Sequence, residues 1–237
     1  MRIPLSKRLQ VCCGLVAPGD RVADIGCDHG YLGIYLLTNG IATSVIAADV
    51  NEMPLQSAVI NAEKFGVREK MSFYLSDGAK NIPREFDTLV CAGMGADTMI
   101  SILKAAPWLR SDQYRLILQC QSKTPMLRQY LSENGWRIAE ETVLRDGRFL
   151  YTVMEVWWQP DYPRLSVGEW YFPPALLENP AKELPEYYQR LLFSLERAVT
   201  GRKDNADPTM AAALQELKAL GDTQELAWLK EKHNDNC

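Results

Sequence analysis

Positive charge is not in excess in this sequence. The chain has 26 lysines and arginines against 30 aspartates and glutamates, a formal net charge of −4; residues 1–160 carry 17 basic and 17 acidic side chains, and the remainder 9 and 13. A wholly basic nucleic-acid-binding domain is therefore excluded, and a nucleic-acid partner would need a local patch. Candidates for such a patch are Arg2, Lys7, Arg8, Lys123, Arg128, Arg145, Arg148, Arg202 and Lys203, against the plainer reading of solvated surface. Long apolar runs are missing, as is a signal-peptide pattern over residues 1–10, so the sequence predicts a cytoplasmic protein that neither spans nor crosses a membrane. Histidine is scarce, with two residues, and the six cysteines come without a second set of ligand-spaced residues. Cys12 and Cys13 are adjacent, and Cys27, Cys91 and Cys120 fall at predicted strand ends. Reduced thiols and no metal are expected.

What is present is concentrated in Arg21-Val-Ala-Asp-Ile-Gly-Cys-Asp-His-Gly-Tyr-Leu32. Val22, Ala23 and Ile25 read as a short buried strand, and Gly26 and Gly30 permit a tight turn with close backbone approach to a ligand before a helix opens. The glycine spacing is G-x-x-x-G, not the G-x-G-x-x-G of a dinucleotide loop. Asp28 stands where a pyrophosphate-binding loop needs a small neutral residue. A carboxylate about 4 Å from a phosphate costs on the order of 4 kcal/mol at an effective dielectric near 20, and it attracts an ammonium or sulfonium by a similar amount. The loop therefore favours a cationic, phosphate-free ligand; S-adenosylmethionine has that charge pattern and NAD does not. The plainer alternative is a strand-to-helix turn with two capping acids.

The later signals keep the order that an open parallel sheet requires. Residues 44–49 are a second apolar run ending in an acid, about 20 residues after the glycines, where a carboxylate meets ribose hydroxyls. Asp49 is thus a ribose-binding candidate, and Asn51 a candidate cap for a helix that tolerates Pro54 early on. A third strand, 71–75, runs into Ser76-Asp77-Gly78, whose acid is a candidate to hold an adenine amino group, against an ordinary turn pair. A fourth, 88–91, runs into Ala92-Gly93-Met94-Gly95, and a fifth covers 115–120 before a helix over about 125–133. Ligands in such sheets lie outside the carboxyl ends of the strands, so these loops converge on one edge. Residues 136–144 and 149–157 then form two β-rich runs joined by Arg145-Asp146-Gly147-Arg148, a hairpin signal. A dinucleotide-binding domain would continue with parallel units instead. Trp157 and Trp158, at the end of the second run, read as core and cover.

Composition shifts near Pro160. Residues 1–160 read as the catalytic domain, the Pro- and aromatic-rich stretch 161–183 as a linker, and 184–237 as a helical hairpin. Its first helix, over about 185–200, places Tyr188, Leu191, Leu192, Leu195 and Val199 on one face. The second, over about 208–232, does the same with Met210, Leu214, Leu217, Leu220 and Leu229, with a polar turn at 201–206. An antiparallel pair projecting from the catalytic domain is expected. Closing the sheet edge or making a dimer would be its purely structural roles.

Together, Leu5-Ser-Lys-Arg-Leu9, Ala23-Asp-Ile-Gly-Cys-Asp-His-Gly-Tyr-Leu32, Ala48-Asp-Val-Asn51, Ser76-Asp-Gly78, Ala92-Gly-Met-Gly95, Leu116-Ile-Leu-Gln119 and Glu133-Asn-Gly-Trp136 resemble the bacterial tRNA (adenine(22)-N1)-methyltransferase family of class I S-adenosylmethionine-dependent methyltransferases, as far as about Tyr151. The resemblance implies an α/β fold: a Rossmann-like methyltransferase sheet, mostly parallel with a C-terminal antiparallel hairpin, plus an α-helical coiled-coil hairpin that helps grip tRNA. It also implies S-adenosyl-L-methionine as cofactor and the D arm of tRNA as partner; monomer and weak dimer both stay open. Carried over through the motifs, the donor-binding residues are Arg8, Asp24, Gly26, Cys27, Asp28, Gly30, Asp49, Val50, Asn51, Ser76, Asp77, Gly78, Ala92 and Gly93. Asp28, Tyr31, Gly93 and Met94 are the candidates around the reacting atoms, and His29, Gly95, Gln119 and Arg128 the substrate-side ones. The chain departs from the family pattern in two places beside the expected base pocket: Ala96 replaces the last glycine of a Gly-Met-Gly-Gly element, and Gln119-Cys120-Gln121 stands where Gln-Pro-Asn is expected.

N1 of neutral adenine already carries a lone pair, so transfer to it needs no prior deprotonation, and the product ring is cationic. The useful protein groups are an acceptor for the exocyclic amine, a stacking surface and nearby negative charge. Backbone oxygens around Gly93-Met94, Tyr31 and Asp28 are the respective candidates. His29 contacts base or phosphate in one reading and caps a helix start in the other. Arg8 meets the donor carboxylate or a tRNA phosphate, or is surface charge, and Asn61 reads as a structural polar residue against a neighbouring loop. Two other functions fit the residues: a methyltransferase for a small molecule or protein with the helical hairpin as dimerisation device, and a non-catalytic donor-binding adapter.

Overall fold

The structure, a computed structural model, describes residues 3–201, 207–223, 226 and 228–229. Arg2, Arg202, Lys203, most of the 201–206 turn and the expected helix end at Lys232 lie outside the described residues. Strands β1 (Arg21–Ile25), β2 (Ser44–Asp49), β3 (Met71–Leu75), β4 (Thr88–Met94) and β5 (Arg115–Cys120) are parallel, and β6 (Trp136–Asp146) and β7 (Phe149–Trp158) add an antiparallel pair. The order across the seven-stranded sheet is β3-β2-β1-β4-β5-β7-β6. β1, β2 and β5 are nearly unbroken apolar runs because both their faces are covered.

Alternation within the strands feeds two cores. Val22, Val45, Val90 and Ile117 face one side, with α1 (Lys7–Leu15), α2 (Tyr31–Thr38) and α3 (Glu52–Lys64). Ala23, Ile25, Leu89 and Leu116 face the other, against α4 (Ala96–Ala105) and α5 (Thr124–Glu133). The chain moves outward from β1 through β2 to β3, then returns to β4 on β1's other side. That reversal opens a crevice at the carboxyl ends of β1 and β4. Strand β4 runs three residues beyond its expected end, with a bulge between Ala92 and Met94. The β6–β7 hairpin closes through the two residues Gly147 and Arg148, since Asp146 pairs with Phe149, and Gly147 has φ +60°. Among the described residues no helix is long and apolar enough to cross a membrane.

The C-terminal part differs from the expected linker and projecting hairpin. Residues 161–183 hold two short helices, α6 (Val167–Tyr171) and α7 (Ala175–Glu178), and Phe172 and Leu176 are buried. Helices α8 (Leu184–Thr200) and α9 (Pro208–Asp222) share a core with them and with Val143 of β6. The Tyr188 hydroxyl donates to the Leu217 carbonyl at 2.6 Å, joining α8 to α9. The appendage is thus seated on the sheet through its own apolar cluster.

At this junction Arg128 is fully buried. Its Nε donates to Glu141 Oε2 at 3.0 Å and its Nη2 to Oε1 at 2.6 Å, while Nη1 donates to the Trp170 and Tyr171 carbonyls and Nη2 also to the Tyr187 hydroxyl. Arg128 is therefore corrected from a substrate-side residue to a structural one: helix α5 turns it inward beside Leu127 and Leu131. Arg128→Met leaves Glu141 as an uncompensated buried charge and should cost about 3–5 kcal/mol in urea denaturation. The double variant with Glu141→Leu is expected to recover part of that loss.

Candidate active site

A cavity of about 490 Å³ opens at the carboxyl ends of β1 to β4. Every sequence-predicted donor-side residue except Gly30 lines it, together with Tyr31, Met94 and His29. The β1–α2 loop is held in shape from below. Asp49, at the end of β2, accepts the Asp28 N–H through Oδ2 at 3.2 Å and the Asn51 N–H through Oδ1 at 2.9 Å. Each carboxylate oxygen keeps a second lone pair, so Asp49 can brace the loop and still accept a ligand hydroxyl. Asp28 has φ +48°, a left-handed conformation that Asp tolerates better than most residues, and its side chain is 70% exposed. Asn51 begins α3 without a side-chain cap bond.

Asp24 lies deeper. It is buried at the end of β1, its Oδ2 has no hydrogen-bond partner, and burial, reinforced by the charges of Asp49 and Asp28, pushes its pKa up to about 7. A buried carboxyl without a partner stays ionised only if a cation arrives. Three carboxylates, Asp24, Asp28 and Asp49, therefore face one cavity. Gly26, at φ +74°, forms the floor: a Cβ there would run into Met94 Cε.

On the far wall, Arg8 comes from the first turn of α1. Its Nε pairs with Asp146 Oδ2 at 2.9 Å, its Nη1 donates to Gln119 Oε1 at 3.4 Å, and its guanidinium lies 5.1 Å from the Tyr151 ring centroid. Gln119 Oε1 also accepts the Gly93 N–H at 3.1 Å. Gln119 is fully buried and does not line the cavity, so its expected substrate contact is corrected to a positioning role behind the bulge. The next polar residue, Gln121, lines the cavity instead, and its N–H donates to the Met94 carbonyl at 2.8 Å.

Other expectations change in detail. Gly30 and Gly95 do not line the cavity; a Cβ on Gly30 would meet Ala58 at 2.9 Å and one on Gly95 would meet Ser122 Oγ at 2.9 Å, so close packing, not a ligand, accounts for them. His29 does not cap α2, whose N-cap is Gly30. Its imidazole is half exposed, 3.6 Å from Asp28, and its carbonyl accepts from Asn61 Nδ2 at 3.0 Å. Ser76 Oγ donates to the Gly78 carbonyl at 2.8 Å and accepts the Asn81 N–H, while Asp77 pairs with Lys80. Cys27, Cys91 and Cys120 are free buried thiols whose pKa values are pushed up by burial. Among the described residues no cluster of three or more His, Cys, Asp or Glu is arranged to hold a metal. Ser6, Leu9, Ile25, Leu32, Thr98 and Ile102 also line the cavity and are not among the sequence-predicted site residues, and Gln121, expected beside the base pocket, is a lining residue itself. Ser6 carried a usable signal, since it precedes the helical run and its Oγ accepts the Leu9 N–H at 3.4 Å.

Comparison with known proteins places this geometry. The family described as a methyltransferase domain matches residues 5–154. The tRNA (adenine(22)-N(1))-methyltransferase of Bacillus subtilis strain 168 is 33% identical over 153 residues, 64% of this chain and 64% of its own length, so the match spans less than two thirds of that relative. A Streptococcus agalactiae protein in the NADB-Rossmann superfamily has a similar structure with a TM-score of 0.83 at 30% identity, covering 94% of this chain and 99% of that one. The Streptococcus pneumoniae protein Sp1610, in complex with S-adenosyl-L-methionine, gives 0.79 at 29% identity, covering 91% and 99%.

Two outcomes follow from the cavity floor. Gly26→Ala forces a side chain into a left-handed backbone position, while the flexible end of Met94 can move aside, and should lower the urea midpoint by the equivalent of about 1–3 kcal/mol. Asp24, raised to about 7 from its ordinary 3.8, makes the folded state bind one more proton than the unfolded chain between those values. The contribution of Asp24 to the stability of the free protein therefore falls as pH rises from about 4 to 7, by on the order of 4 kcal/mol. Asp24→Asn should flatten that part of the thermal-unfolding profile; an unchanged slope would remove Asp24 as its source.

Proposed function

The chain belongs to the methyltransferase-domain family, and from that premise we propose that it transfers a methyl group from S-adenosyl-L-methionine to N1 of the adenine at position 22 in the D arm of tRNA. The observation that carries the reading is the buried, unpartnered Asp24 carboxylate, set with Asp28 and Asp49 around a cavity that Gly26 keeps open. That anionic end suits an ammonium and a sulfonium and repels a diphosphate. The similarity to the Bacillus subtilis enzyme supplies the substrate. A tRNA substrate in turn supports a cytoplasmic setting.

Asp24 would take the donor's ammonium, Arg8 its carboxylate, and Asp49 the ribose hydroxyls, with Ser76, Asp77 and Gly78 toward the adenine. Val50, Asn51, Cys27 and Ala92 shape the walls between them. When bound, the donor supplies an electrophilic methyl group that N1 accepts through its own lone pair, so no residue of the chain has to act as a base. The protein's part is orientation and charge. Tyr31 offers a ring beside the β1–α2 loop, and Asp28, exposed at the cavity, holds negative potential where the adenine ring turns cationic. Gly93 and Met94 present backbone to the exocyclic amine. The Met94 carbonyl, already accepting from Gln121, keeps a second lone pair for it. His29 stands at the entrance, half exposed.

Nucleoside mass spectrometry after incubating unmodified tRNA with donor should detect 1-methyladenosine. Incorporation into small molecules alone would end the tRNA proposal. Asp28→Asn keeps the left-handed backbone and removes only the charge, and should lower kcat on the order of 10- to 100-fold with an unchanged circular dichroism spectrum. Wild-type turnover by that variant removes Asp28 from the site.

A further inference from the structure

One surface feature leads from the tip of the β6–β7 hairpin to the cavity, and only its inner end, Arg8, is shared with the donor side. Phe149 is one of the few large apolar side chains left in water, at 50% exposure. The Arg148 guanidinium lies 4.8 Å from its ring centroid, the Tyr151 ring lies 6.1 Å beyond it at 52°, and the Arg8 guanidinium lies 5.1 Å from the Tyr151 ring. Residues 149 and 151 are two apart on a strand, so both rings stand on one face of the sheet. Arg8 itself lines the cavity. Cation, arene, arene and cation thus form a continuous row whose inner end is the cavity wall.

We propose that this row is a stacking platform for the unpaired nucleotides that flank the target base; it rests on the methyl-transfer reading for what brings RNA to the site. N1 of adenine lies on the pairing edge, so the target must leave its stack and its neighbours must lose a stacking partner. Unstacked bases are held on aromatic rings and on guanidinium planes, and Arg148-Phe149 offers both at one point. In a duplex each base face is covered by the neighbouring pair, so open rings select a single-stranded segment over a duplex. Arg148 at the tip can meet a phosphate, whereas Arg8 is paired with Asp146, so the free positive charge of the row lies at its outer end. A second cavity of about 400 Å³, lined by Lys7, Arg145, Lys182 and Glu183, lies alongside, but Arg145 is paired with Glu186, so its charge is partly spent there. The chain has no basic excess, and a few cations interleaved with rings give it a nucleic-acid track without one.

The test uses the full chain with unmodified tRNA. Phe149→Leu keeps the apolar bulk and removes the ring; it should weaken tRNA binding, measured by fluorescence anisotropy, and lower kcat/KM for tRNA about 5- to 100-fold, while the donor Kd by calorimetry stays at the wild-type value. Phe149→Trp should retain wild-type values, which a merely space-filling role would not require. Arg148→Ala should reduce the slope of log affinity against log salt by about 1. Wild-type binding and kcat/KM in Phe149→Leu overturn the platform while leaving methyl transfer standing. Ring-dependent tRNA binding by a protein that forms no 1-methyladenosine supports the platform and overturns the methyl-transfer reading. A wild-type protein that binds no tRNA overturns both.

Discussion

Three carboxylates crowded at the reversal point of the sheet are the constraint on which the rest of the site depends. Asp24 is inside the protein with a bare oxygen, Asp49 spends one lone pair of each oxygen on loop N–H groups, and Asp28 is held outward by a left-handed backbone. In the free protein this arrangement opposes folding, because a buried acid next to two others keeps its proton up to about pH 7. A bound cation reverses the sign of that contribution. The loop is therefore unfavourable alone and favourable when filled, which is the usual position of a binding site relative to the scaffold that carries it.

The opposite wall is built from pieces distant in sequence. Gln119 accepts from Arg8 of α1 and from the Gly93 N–H of the β4 bulge, and Arg8 is held in turn by Asp146 at the hairpin tip. Donor side, bulge and hairpin thus share one set of hydrogen bonds. The placement of Gly93 is thus tied to that of Arg8 through the Gln119 side chain, although the three are distant in sequence.

The parts that were legible in the sequence are those where local pattern and tertiary role agree. The runs before Asp24 and Asp49 are apolar because both sheet faces are covered, and they, like the half-buried edge strand before Asp77, end in an acid at the carboxyl edge where the cavity opens. Gln119 and Arg128 are polar residues buried against partners on other elements, which neither a family motif nor a count of basic residues reveals. Strand β5 is buried on both faces, so a polar residue inside it must bond internally, and the first polar position after its end, Gln121, is the one with access. Arg128 shares a helix face with Leu127 and Leu131, which already turned it inward, but its partner Glu141 lies on another element. The helix α6 carried a readable mark, the reciprocal Ser166–Glu169 capping box, obscured by the surrounding prolines and aromatics. Helix α1 had no comparable periodic signal.

The Arg128 junction also bears on how the molecule can be divided. Composition suggests a cut near Pro160, yet Arg128 donates to the carbonyls of Trp170 and Tyr171 and to the hydroxyl of Tyr187, all beyond that point. A fragment ending at the apparent boundary would keep the guanidinium and lose those acceptors, along with the apolar cover over Val143. The sheet and the C-terminal helices therefore share one buried seam, and separating them at Pro160 would expose polar groups as well as apolar surface.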